Sequence, residues 1–349
     1  MSPVNQASET QTERRRPLGA LACVATGFEV VARNPELILP PVLLDLFLWL
    51  GPRLSVSPLL TDVRDLMTEL MSTGAILPDS RENYVLVMQL LEELGEGFNL
   101  FSSLNPGPLL GVPALMPAHL SAMTPVGQQP AVVVSSFFVV MLAIAVLGAL
   151  GLGLNAVFLW LVGRRVIAET EAPVPGPRTV WAVWRRFLQF GVLLYVLFFG
   201  ASLAGSFVAS LLGLISILLA VLVMAGLLSV VVFIGVHLMF TIPGMVQLRR
   251  GLFQAMKESL LLTRADFLNV VVLLGLVLVI SRGLNFVWML PEPDSWAALV
   301  GVGGHAFVST ALTAALFVFY QERLRYLEAM KQIFAAKASE TPAPSVLGK

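Results

Sequence analysis

The chain has 349 residues, of which 57% are hydrophobic and only 13% charged. A soluble domain carries about a quarter charged residues, so this composition, with a mean hydropathy of +0.83, excludes an ordinary soluble fold. Lys+Arg and Asp+Glu balance at 22 each, and no net charge points to nucleic acid. The single cysteine, Cys23, excludes an intrachain disulfide and a cysteine metal cluster, and it reads as a small apolar residue on a helix.

A helix needs about 20 apolar residues to cross about 30 Å of hydrocarbon. Residues 1–17 are polar, have no apolar core and do not form a secretory signal. Residues 18–53 are expected to hold a short amphipathic helix, a break at Asn34–Pro35 and a first span from Pro35 to Arg53. Asn34 supplies an N-cap and Pro35 suits the first helical position. Residues 54–130 read as an extracytoplasmic helical and loop region. Its two predicted helices, Pro58–Met71 and Arg81–Leu94, carry Asp62, Asp65, Glu69, Glu82, Glu92 and Glu93. The run NLFSSLNPGPLLGVPALMPAHLSAMTP that follows is apolar and too proline-broken to span, and it is expected to lie against the membrane surface or over the bundle.

The second span is predicted at 131–162. From Phe187 to Leu248 there is no Asp, Glu, Lys or Arg. That run fits two spans with a turn near Gly205–Gly213, or one span plus a re-entrant segment. A fifth span is predicted from Asp266 to Leu290 and a sixth from Trp296 to Tyr320, and residues 321–349 read as a cytoplasmic tail.

The charges test this count. Arg14, Arg15, Arg16 and Arg33 precede the first span. Arg164, Arg165, Arg178, Arg185 and Arg186 lie between the second and third. Arg249, Arg250, Lys257 and Arg264 lie between the fourth and fifth. Arg323, Arg325, Lys331, Lys337 and Lys349 follow the sixth. Thus 18 of 22 basic residues fall on one face, which the positive-inside rule makes cytoplasmic. The expected fold is an all-α integral membrane six-helix bundle, N-in and C-in, multi-pass in the cytoplasmic membrane.

Segments before the odd-numbered spans look alike. Aligning Arg33 with Arg264 puts Leu21 on Leu252 and Leu37 on Leu268. RTVWAVWRRFLQFGVLL, before the third span, shares the basic and aromatic character, with only Gly191 as a break. Such helices are expected in the headgroup layer with the apolar face down, giving three units of interfacial helix plus hairpin. The alternative is that any cytoplasmic loop beside a membrane looks basic and amphipathic.

The stretches VVARNPELILPPVLLDLFLWL, AMKESLLLTRADFLN and ALTAALFVFYQERLRYL resemble a broad group of uncharacterised prokaryotic polytopic membrane proteins. That group is related to the membrane domain found beside some glycerophosphodiester phosphodiesterases. The resemblance covers roughly residues 17–53 and 131–330. It implies a six-helix bundle with cytoplasmic interfacial helices and no established activity. The phosphodiesterase barrel is absent, and the 54–130 insertion departs from the pattern.

There is no P-loop, HExxH or GxSxG. The glycines of GVGGH (301–305), with Gly148, Gly151, Gly153, Gly200 and Gly205, read as helix-packing positions. Ionisable groups within spans are costly and need a partner or a wet cavity. Asp45, Arg282 and His305 reach a similar predicted depth. They form the candidate intramembrane cluster, an Asp45–Arg282 ion pair with His305 beside it, either fixing helix register or serving as a substrate or proton site. His237 is nearer the cytoplasmic end of its span.

No catalytic residue, metal or cofactor is expected. The expected partners are membrane lipids, with other proteins or further copies of the chain, and no nucleic acid. Three functions stay open: a non-enzymatic membrane-organising protein, a carrier of a lipid or small apolar substrate, and an intramembrane enzyme.

Overall fold

The structure is a computed structural model and describes residues 17–73, 81–107, 110–168, 176, 178–248 and 250–340. The expected tails at 1–16 and 341–349 lie outside the described residues. The helices are α1 (Ala20–Arg33), α2 (Leu39–Leu50), α3 (Ser57–Ser72), α4 (Arg81–Gly97), α5 (Phe137–Ala168), α6 (Arg178–Gly213), α7 (Ile217–Leu238), α8 (Thr241–Gln247), α9 (Leu252–Ala265), α10 (Phe267–Trp288) and α11 (Ala298–Glu340). Four short strands make two small sheets. β1 (Arg53–Ser55) pairs in parallel with β4 (Ala131–Val133), and β2 (Met123–Thr124) makes a hairpin with β3 (Gly127–Gln128).

Among the described residues five helices are long and apolar enough to cross a membrane: α5, α6, α7 run together with α8, α10 and α11. The charge-free run therefore holds two of these five helices, with its turn at residues 214–216, just past the predicted place. The expected first span is not among the five. Pro35–Ile38 is a 3-10 turn and α2 has only 12 residues, about 18 Å, short of the hydrocarbon thickness. Pro35, Pro40 and Pro41 lack the N–H groups a longer continuous helix would use. At the chain's end, α11 continues the predicted sixth span to Glu340 in place of an irregular tail.

The buried core gathers around α11. Arg323 donates from Nη1 to the Leu18 carbonyl at 3.0 Å. A methyl group on Gly27 would stand 2.4 Å from the Ala311 carbonyl oxygen, and the Phe28 and Phe307 rings lie 5.9 Å apart. α1 thus runs antiparallel along α11. At the other end of α11, Trp49 donates to the Pro293 carbonyl at 2.7 Å and meets Trp296 edge to face. The chain from Leu18 to Leu50 therefore follows the apolar length of α11, broken at Asn34–Ile38. α10 does the same: Asp266 pairs with Arg323 at one end, and Gly301 and Gly304 receive Trp288 at the other. The apolar face of α1, including Cys23, is spent on α11 and not on lipid. Gly27 is the reason, since it lets the two backbones touch.

The repeat is present in the backbone, shifted by one residue from the sequence alignment. α1 and α9 each have 14 residues. Gly19 (φ −65°, ψ 162°) precedes one and Gly251 (φ −62°, ψ 157°) the other, and each ends at an Asx residue of similar conformation, Asn34 and Asp266. Arg33 therefore matches Ala265, not Arg264. In this register the buried residues coincide: Ala20 with Leu252, Cys23 with Ala255, Gly27 with Ser259, Val30 with Leu262 and Val31 with Thr263. In α6 the buried triple Val183, Phe187, Phe190 repeats the spacing of Cys23, Gly27, Val30. Leu194 stands where the other two have Asx, so α6 runs on unbroken for 36 residues.

Each unit's opening helix packs on the second helix of the unit before it. Trp184 of α6 donates to the Ala149 carbonyl of α5 at 2.8 Å. Ser259 of α9 donates to the His237 carbonyl at 2.6 Å and accepts the Phe240 N–H at 3.1 Å, holding the break between α7 and α8. Pro243 causes that break by clashing with the carbonyl four residues back. α1 closes the ring on α11.

Candidate functional site

At the end of the bundle that carries α3 and α4, the two predicted helices form a pair close to their expected bounds. The proline-broken run behind them does not lie over the bundle. It enters it. Leu100 packs with Val140 near the start of α5. Farther along, Leu104 sits against Gly151, where a methyl group would stand 2.1 Å from the Leu104 carbonyl oxygen. Deeper still, Asn155 donates from Nδ2 to the Leu110 carbonyl at 2.7 Å. From Val140 to Asn155 is about 22 Å along a helix axis. The Leu110 side chain ends beside Gly191 of α6 and Leu152 of α5, so the weak break signal at Gly191 marks a seat for the loop. The chain then climbs back past Leu115, which touches Gly301, to a 3-10 turn at Met116–Ala118. Leu100, Val112 and Leu115 are fully buried.

The described residues 98–107 and 110–119 thus form a re-entrant plug. Non-helical backbone inside an apolar bundle needs internal partners for its N–H and C=O groups. Asp45 supplies the main ones. Its Oδ1 accepts from the amides of Leu115 and Met116, both at 2.8 Å, and Oδ2 accepts from Leu115 at 3.0 Å. The carboxylate is wholly buried and faces the N-terminal end of the 3-10 turn, where free amides gather. Gln129 donates to the carbonyls of Leu48 and Trp49, at 2.9 and 2.6 Å, the last acceptors of α2. Asn99 accepts from Leu54 and Phe101, both at 3.1 Å, and Arg53 donates to the Glu96 carbonyl. These bonds fix the root of the plug. Burial holds the His119 imidazole, at its outer edge, below its ordinary range.

The expected Asp45–Arg282 ion pair is not present among the described residues. Arg282 is exposed on α10 and makes no ion pair among the described residues. His305 bonds within its own helix, Nε2 to Ser309 Oγ at 3.3 Å. His237 likewise meets the Phe233 carbonyl at 2.8 Å through Nδ1. Only Asp45 reaches across the fold, and backbone amides satisfy it where Arg282 was expected. Sequence reasoning missed Asn155, Gly191 and Gln129. An Asn and a Gly inside apolar helices are the available signal, of which only Gly191 is noted above, as a break. Among the described residues no three His, Cys, Asp or Glu converge as a metal site.

Packing glycines divide. Gly151, Gly205, Gly301 and Gly304 meet close neighbours, whereas Gly148 and Gly200 meet none. No protein-family model matches the chain, and no curated protein or solved structure matches it.

Proposed function

We propose that this protein crosses the cytoplasmic membrane six times, with both termini inside, and serves as a non-enzymatic organiser of membrane lipids and partner proteins. The sixth crossing is the broken element of α1 and α2. Its support is that Leu18 meets Arg323 while Trp49 meets Pro293, at opposite ends of the apolar part of α11. The start of α1 then lies beside the inner end of the last span, which supports an inner face carrying 17 of the 22 basic residues, with Arg33 at the break of the crossing. Kinship with the membrane domains named above belongs to the same proposal and rests on the three motifs.

One observation carries the functional reading: the wholly buried Asp45 carboxylate has both oxygens on backbone amides of the plug. A carboxylate that binds solute or relays protons needs a wet approach, and Asp45 has no exposure. A second reading, a carrier of a lipid or small apolar substrate, is favoured by the plug itself, since a segment held by Asp45 and Asn155 is a removable closure. Reconstitution into liposomes separates the two. The organiser produces no lipid flip-flop or solute leak above empty vesicles, and opening the plug with Asp45→Ala plus Asn155→Leu adds none in the folded fraction. Substrate-selective flux through the wild-type protein would establish the carrier.

A further inference from the structure

The opposite end of the bundle holds a cavity of about 280 Å³ lined by Leu262, Ala265, Asp266, Asn269, Arg323 and Tyr326. It lies where α9 breaks into α10, against α11, on the face that carries the basic residues. We propose that it seats the primary ammonium headgroup of an aminophospholipid from the cytoplasmic leaflet, a refinement that rests on the lipid-organising reading above.

The charges at the cavity are arranged unequally. Arg323 is turned inward: its side chain is 4% exposed, Nη1 is bound to the Leu18 carbonyl, and the guanidinium lies 4.4 Å over the Phe319 ring. Its partner Asp266 is 27% exposed, so the open member of the pair is the carboxylate. A carboxylate has about four lone-pair positions. Arg323 and the Asn269 amide, at 2.7 Å, engage one oxygen each. The Asn269 amide oxygen and the Tyr326 hydroxyl add acceptors on the same wall.

An accessible negative charge with further acceptors suits a small cation that carries N–H donors. A primary ammonium has three. A choline group has none, and its recognition uses a cage of several aromatic rings, whereas this lining has Tyr326 alone. An anionic headgroup would meet Asp266 first. The volume is near the lower bound for small-molecule pockets, about 300 Å³, the scale of a headgroup rather than a whole lipid.

Lipid is preferred over a free amine because exposed apolar residues follow the cavity's Asp266 directly along α10. Phe267, Leu268, Val271 and Val272 are all exposed on the first turns of α10, directly after Asp266. Acyl chains laid along them leave the headgroup at the cavity.

The test uses the full-length protein reconstituted in vesicles of equal parts phosphatidylethanolamine, phosphatidylcholine and phosphatidylglycerol. After re-extraction, the retained lipids are quantified by native mass spectrometry. The wild-type protein is expected to enrich phosphatidylethanolamine over phosphatidylcholine by about tenfold, the difference one charge-assisted bond makes. Ala265→Phe fills the cavity from an exposed position without touching the ion pair. It should bring the ratio to parity with an unchanged melting temperature, and Ala265→Ser should leave the enrichment intact. Enrichment that survives Ala265→Phe overturns the assignment. Retention of O-phosphoethanolamine as tight as that of phosphatidylethanolamine overturns its lipid part. Lipids retained without headgroup preference overturn the cavity assignment and leave the organising reading standing, whereas no retained lipid overturns both.

Discussion

α11 and α7 are both long apolar helices, and they fare in opposite ways. Of the most apolar stretch of α11, 61% is buried inside the protein, and of α7 none, although α7 is the more apolar. In water the greasier helix would be the inner one. In lipid a leucine gains nothing by leaving the acyl chains, so burial goes to helices whose small residues allow close approach. α11 offers Gly301, Gly304, Ala306, Ala311, Ala314 and Ala315 to its neighbours, and α7 presents Leu218, Val221, Leu222 and Leu228 outward. Hydropathy locates the spans, and residue size decides which of them becomes the centre.

The sharpest way to break this contrast is a matched pair of glycine substitutions. Gly27→Leu drives a side chain into the Ala311–Ala315 backbone of α11, and overpacking of that kind costs about 3 kcal/mol or more. We expect loss of monodisperse protein by fluorescence-detected size-exclusion chromatography. Gly226→Leu on α7 meets open space and is expected to leave the profile unchanged. A Gly226 variant as damaging as the Gly27 one would refute the division into centre and rim.

The plug sits between these extremes, irregular in backbone yet deeply buried. Asp45→Ala strands the amides of Leu115 and Met116 in an apolar interior, a cost of about 3 kcal/mol, read as a lowered thermal midpoint in detergent. Asp45→Asn recovers part of it, because its amide oxygen still accepts an N–H. Asn155→Leu removes one bond to the Leu110 carbonyl and costs about 1 kcal/mol. Limited proteolysis within residues 98–119 should rise in the same order. If Arg282→Ala lowers the midpoint as much as Asp45→Ala, the amides are not the partners that matter.

The smallest effect is a pH dependence at the outer edge. His119 has a folded-state pKa depressed by burial, against about 6.5 in the unfolded chain. Its contribution is therefore fully present above about pH 6.5 and is lost as pH falls toward the folded-state value, because the unfolded chain takes up the proton first. His119→Gln should flatten that slope of midpoint against pH.

Much of this was legible in the residues. The long apolar runs from Ala131 onward carry five of the predicted spans, and their length alone forces helices on them. The breaks fall at Asn34 and Asp266, the residues expected to cap, although neither side chain makes an N-cap hydrogen bond. The failures share a cause. Pro35–Arg53 was read as a continuous span because its composition is apolar, but three prolines shorten the helix. Residues 99–125 were kept out of the bundle because irregular backbone is costly there. Nothing local reveals that Asp45, more than fifty residues earlier, and Asn155, some forty later, would meet that cost. Arg282 was paired with Asp45 by depth, a coordinate that says nothing about which way a side chain faces.

The closure of α1 on α11 also sets a timetable. The face of Cys23, Gly27 and Val30 is made well before its cover, Ala311 to Arg323. At about 5–20 residues per second, the intervening 290 residues take roughly 15–60 s to synthesise. Through that interval the first helix is inserted without its mate, and a chain truncated before α11 never completes the ring. Quality control of this protein therefore has a checkpoint in the docking of α1 on α11.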